Sequence, residues 1–110
     1  MYKLFGIPNC DTVKKTKKYL DEKGVEYDFI NFKKVAPTAQ NIKLWESYLE
    51  DLPVNKRGTT FRKIKDDFES ATPAKKIKIL IENSSAIKRP ILEKNGSVMA
   101  VGFEEVKAKI

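Results

Sequence analysis

Leu4-Phe5-Gly6-Ile7-Pro8-Asn9-Cys10-Asp11-Thr12-Val13-Lys14-Lys15 runs from apolar strand residues through Gly, Pro and Asn turn chemistry into a lysine-rich amphipathic stretch. Working outward, Tyr2 to Ile7 reads as a strand and Asp11 to Lys23 as a helix. The helix would turn Val13, Tyr19 and Leu20 inward and Lys14, Lys15, Lys18 and Glu22 outward, with Gly24 as its stop. Val25 to Phe32 alternates, which predicts a second strand with Val25, Tyr27 and Phe29 on one face. Strand, helix and strand in this order form a βαβ unit, whose crossover is expected to be right-handed.

Beyond Pro37, Thr38 is placed to cap a helix running to about Leu49, with Ile42, Trp45 and Leu49 on one face. Pro53 to Lys65 reads as a loop or short-helix region. Thr72-Pro73 is a cap followed by proline at the first helical position, and predicts a helix to about Asn83. Asn95-Gly96 joins the apolar runs Ile91-Leu92 and Val98 to Val101, a strong hairpin signal. Gly102-Phe103 ends the strand, and Glu104 to Ile110 closes the chain as a helix with Val106 and Ile110 inward. The expectation is one α/β domain over residues 1–110: a mixed four-stranded sheet flanked by helices. The order resembles the thioredoxin-like plan with a helical insertion at about residues 38–85.

Composition limits the function. With 110 residues, 41% hydrophobic and 10% aromatic, the chain can build a globular core. No residue is histidine and only one is cysteine, which excludes a Cys/His zinc site and an internal disulfide. Met1 leads straight into strand residues with no leader-like segment and no run of membrane-spanning length, so a cytoplasmic protein is expected. The net charge of +7 raises a nucleic-acid reading, but only Arg57, Arg62 and Arg89 of the 22 basic residues are arginine. The lysines are spread over every segment, the pattern of a solvated coat rather than of a nucleic-acid reader.

Cys10 carries the chemistry. A thiol in the first turn of a helix meets unpaired N–H groups and the positive end of the dipole, and both favour the nucleophilic thiolate. A lone cysteine can equally be a small buried apolar side chain. Lys14, one turn on, is expected to help ionise the thiol, while the neighbouring Asp11 opposes it. Arg89-Pro90 precedes the hairpin; in a thioredoxin-like arrangement that bond lies beside the thiol and is often cis, though a proline before a strand is also ordinary punctuation. Arg57 and Arg62 bracket Gly58-Thr59-Thr60 and could hold an anion, or the segment could be a turn with a helix cap. Gly102 would permit close backbone contact with a bound thiol compound, or could simply end a strand.

Asn9-Cys10-Asp11-Thr12-Val13-Lys14-Lys15, Lys56-Arg57-Gly58-Thr59-Thr60-Phe61-Arg62-Lys63, Ile87-Lys88-Arg89-Pro90-Ile91-Leu92 and Val101-Gly102-Phe103 together resemble the YffB branch of the ArsC-like superfamily. That superfamily also holds glutaredoxin-linked arsenate reductases and Spx-type transcription regulators. The resemblance implies a thioredoxin-like fold and a glutathione-dependent thiol reductase with Cys10 as nucleophile. Asn9, Asp11, Thr12, Lys14, Arg57, Arg62, Arg89, Pro90 and Gly102 are then the candidates for binding substrate or thiol. No bound cofactor or metal is implied. Glutathione or a similar small thiol would be the co-substrate, with glutaredoxin or a protein disulfide as further partners.

Two departures mark the branch. Val13 stands where Spx-type regulators carry the second cysteine of Cys-x-x-Cys. The arsenate reductases' third arginine has no counterpart, since that corner reads Gly102-Phe103-Glu104-Glu105. The alternatives are a non-enzymatic, Spx-type protein-binding module, and an arsenate reductase with a remodelled oxyanion site.

Overall fold

The computed structural model describes residues 1–110. In order, the elements are β1 (Tyr2–Gly6), α1 (Asp11–Glu22), β2 (Tyr27–Asn31), α2 (Ala39–Leu49), α3 (Thr59–Glu69) and α4 (Pro73–Glu82), then a short 3₁₀ turn (Ser84–Ala86), β3 (Ile91–Lys94), β4 (Ser97–Val101) and α5 (Phe103–Lys109). The chain divides into two compact units, residues 1–35 with 89–110, and residues 36–88.

The first unit holds the sheet, in the order β2-β1-β3-β4. β1 pairs parallel with β2 (Leu4 opposite Phe29) and antiparallel with β3 (Leu4 opposite Leu92), while β3 and β4 form an antiparallel hairpin. The parallel pair follows from the α1 crossover, and the hairpin from Asn95 (φ 52°) and Gly96 (φ 82°), both left-handed as a two-residue turn requires. Leu4, Leu92 and Ala100 line one sheet face and pack with Leu20 of α1 and Val106 of α5, all five fully buried. Tyr27, Phe29, Val25 and Ile110 close the edges of this cluster. The sheet, its mixed pairing and the helices against it are the thioredoxin-like arrangement expected from the element order.

The second unit is helical. Thr38 caps α2 through a reciprocal pair with Asn41, and Ile42 and Trp45 are fully buried. Thr72 caps α4, with Pro73 at the first position. Of the loop or short-helix alternatives for Pro53 to Lys65, the segment takes both in turn, and the helix is longer than expected: α3 starts at Thr59 and runs 11 residues to Glu69. Phe61 and Phe68, two turns apart, are both buried and meet edge-to-face at 5.7 Å, and that shared face stabilises the helix.

Smaller differences have local causes. The first strand stops at Gly6 because the Ile7 carbonyl turns away to accept the Cys10 N–H at 3.1 Å. The second begins at Tyr27 rather than Val25. On α1 the fully buried residues are Val13, Thr16 and Leu20, while Tyr19 is half-buried. Thr16 tolerates burial because its hydroxyl donates to the Thr12 carbonyl at 2.8 Å. No helix is long and apolar enough to cross a membrane.

Candidate thiol site

Cys10 is the N-cap of α1, in extended conformation at φ −84° and ψ 125°. Its carbonyl accepts the Lys14 N–H at 2.9 Å, the first bond of the helix. No oxygen-type cap closes this end. The sulfur therefore sits where a capping oxygen would sit, facing the amides of the second and third helical residues, Thr12 and Val13. The side chain is half-exposed and makes no disulfide.

Several influences act on the thiol. Burial is the largest and pushes its pKa up. Against it work the Val13 N–H, a hydrogen bond from the Arg89 side chain, the Thr12 N–H and the Arg89 positive charge. Together these outweigh burial and hold the thiol below its ordinary value. Lys14, expected to assist, and Asp11, expected to oppose, are both exposed, where water and salt screen their charges.

Arg89 reaches the sulfur because β3 begins directly after it. The Arg89-Pro90 peptide is cis, and Pro90 is buried. The Pro90 carbonyl accepts the Gly102 N–H at 2.8 Å, which brings the corner after β4 alongside the proline. Gly102 has φ 92° and ψ 154°, a conformation open to glycine. The Glu105 carboxylate accepts the Val101 N–H at 3.0 Å and braces the same corner. Cys10, Thr12, Arg89, Pro90 and Gly102 thus belong to one linked neighbourhood of the sheet unit. Asn9, Asp11 and Lys14 are exposed beside it.

Arg57 and Arg62 both belong to the helical unit. Arg57 lines a cavity there, and Arg62 sits in the first turn of α3. Sequence reading anticipated unpaired helix N–H groups at the thiol without saying which; they are the Thr12 and Val13 amides, two and three residues after the cap. No group of three or more acidic, histidine or cysteine residues is arranged to hold a metal ion.

A sheet with one cysteine heading its first helix and an Arg-cis-Pro edge opposite defines a thioredoxin-like protein of the single-cysteine kind. The chain belongs to the ArsC family, whose model matches residues 5–109. It is 33% identical over 107 residues to an uncharacterized protein of Haemophilus influenzae, covering 96% of this chain and 93% of that one. Among solved structures, a YffB protein matches with a TM-score of 0.84 at 36% identity, over 99% of this chain and 98% of its own. A Streptococcus mutans protein described as a possible arsenate reductase matches with a TM-score of 0.78 at 28% identity, over 94% and 91% of the two chains. These relatives support a thiol oxidoreductase type of fold.

Proposed function

We propose that this chain is a cytoplasmic thiol oxidoreductase that uses Cys10 as its single nucleophile and glutathione or a similar small thiol as co-substrate. The observation that carries the reading is the half-exposed Cys10 sulfur at the head of α1, whose pKa two helix amides and the Arg89 guanidinium lower against burial. The Cys10 thiolate attacks one sulfur of a disulfide. A Cys10–sulfur bond forms, the original sulfur–sulfur bond breaks, and the leaving thiolate takes a proton from solvent. With one cysteine in the chain, an external thiolate must attack the mixed disulfide and return Cys10 to its starting state. A second external thiol then reduces the disulfide so formed, and the electrons come from the small-thiol pool.

Arg89 has two duties in this scheme: it lowers the thiol pKa and offers charge to an anionic group of the incoming thiol. The Pro90 and Gly102 backbone would border the bound compound. The reading uses residues of the sheet unit alone. Arsenate reduction is not the favoured chemistry, because Glu104 and Glu105 stand where an oxyanion would need positive charge.

Mass spectrometry after exposure to oxidised glutathione tests the proposal. One glutathione adduct is expected, on Cys10, removable by excess reduced glutathione and absent in Cys10→Ser. An intact Cys10 that takes no adduct at neutral pH sinks it, and leaves the protein-binding module as the better account.

A further inference from the structure

We propose that Glu105 and Lys109 guard the edge of β4: by holding its outward-facing backbone groups, they keep a second copy of this chain from adding to the sheet there. β4 is an end strand of the sheet. An end strand offers a row of backbone donors and acceptors to any other chain, and proteins block such rows with charge, proline, bulges or covering groups. The opposite end strand, β2, carries its own charge in the exposed Asp28. Ser97-Val98-Met99-Ala100-Val101 has neither charge nor proline, the composition of a segment that favours pairing. Its protection has to come from elsewhere.

Backbone direction shows which groups face outward. The Gly102 N–H donates to the Pro90 carbonyl at 2.8 Å and Ala100 stands opposite Leu92, so both residues turn their backbone groups toward β3. The register passes from Val98 to Ala100 and leaves Met99 as the extra residue of a bulge. Met99 and Val101 therefore turn theirs to the open side. Side chains of α5 occupy both: the Val101 N–H donates to Glu105 Oε1 at 3.0 Å, and Lys109 Nζ donates to the Met99 carbonyl at 2.9 Å.

The two guards lie four residues apart, on one face of the helix. That helix is fixed without them. Val106 is fully buried, Ile110 packs against the same core, and Phe103 meets Tyr19 edge-to-face at 6.1 Å. Docking of the helix thus brings both side chains to the edge with less freedom left to lose.

The occupant they exclude follows from symmetry. When β4 lies antiparallel to a second β4 about a two-fold axis through Ala100, the Val101 amide of each copy meets the Met99 carbonyl of the other. Those are the two groups that Glu105 and Lys109 hold. The inference stands apart from the thiol reading, because neither Cys10 nor Arg89 takes part in these bonds.

The test is sedimentation velocity over a concentration series, under reducing conditions so that no Cys10 disulfide links two chains. Glu105→Ala/Lys109→Ala should self-associate about tenfold or more tightly than the parent, since two charged hydrogen bonds no longer compete for the edge. Amide hydrogen exchange of the associated variant should show protection gained at residues 97–101. Glu105→Gln/Lys109→Arg keeps an acceptor and a donor in place and should sediment like the parent. Should the double alanine variant lose the native circular-dichroism spectrum, Lys109→Ala, at an exposed residue, gives the same reading with the Met99 carbonyl alone uncovered. Association no tighter than the parent's, protection gained outside residues 97–101, or equal association of the Gln/Arg variant overturns the inference.

Discussion

Gly6→Ala probes the packing that aims α1 at its cysteine. Gly6 ends β1, and a Cβ built on it would lie 2.8 Å from Val13 Cγ2 and 3.3 Å from Cγ1. Carbon atoms in contact sit at roughly 3.5–4.0 Å, so strand or helix must give by about 1 Å. Val13 cannot swing aside: it is fully buried, and a β-branched residue in a helix keeps essentially one rotamer. Overpacking of this kind costs about 1–3 kcal/mol. Urea unfolding followed by circular dichroism should show the loss as a lowered midpoint at unchanged slope. Val13→Ala removes both offending methyls, so the double variant should be more stable than the two single losses summed, by about 0.5–3 kcal/mol. The Val13 amide moves with its side chain, so the Cys10 thiol pKa should rise in Gly6→Ala, as read from the pH dependence of alkylation. A stability within about 0.5 kcal/mol of the parent, or strict additivity in the cycle, would refute the claim that this contact sets the helix position.

Two further changes address the site itself. Arg89→Ala removes both a hydrogen bond and a positive charge from the sulfur, so the Cys10 alkylation profile should move to higher pH. The sign for stability follows from linkage. The folded thiol titrates below the unfolded one, so its ionisation adds stability that is complete above the ordinary thiol range and is lost as pH falls through the folded-state pKa. Arg89→Ala should shrink that increment, and pH-dependent unfolding with no such change would contradict the assigned partner. Gly102→Ala meets no atom within 4 Å of its new Cβ, so its cost is backbone strain alone, about 1–3 kcal/mol at φ 92°. Thermal unfolding checks this, and a neutral result would mean that the corner adopts another conformation.

Much of the architecture was legible because local chemistry and global fold agree. Thr38, Thr72-Pro73 and Asn95-Gly96 each specify a cap or turn within a few residues, and each forms where expected. α3 reads only as a loop or short-helix region because its start, Gly58, carries no capping side chain and its flanks read as turn residues. Its signal was the seven-residue spacing of Phe61 and Phe68.

By itself the sequence determined the order and type of every strand and α-helix but α3, and the position of one thiol at a helix head, since periodicity, caps and turns act over short distances. Tertiary structure alone decided what surrounds that thiol. Arg89 reaches Cys10 through antiparallel pairing of β1 with β3. That approach closes a long loop, and no local preference of the residues concerned encodes which partners a long loop will bring together.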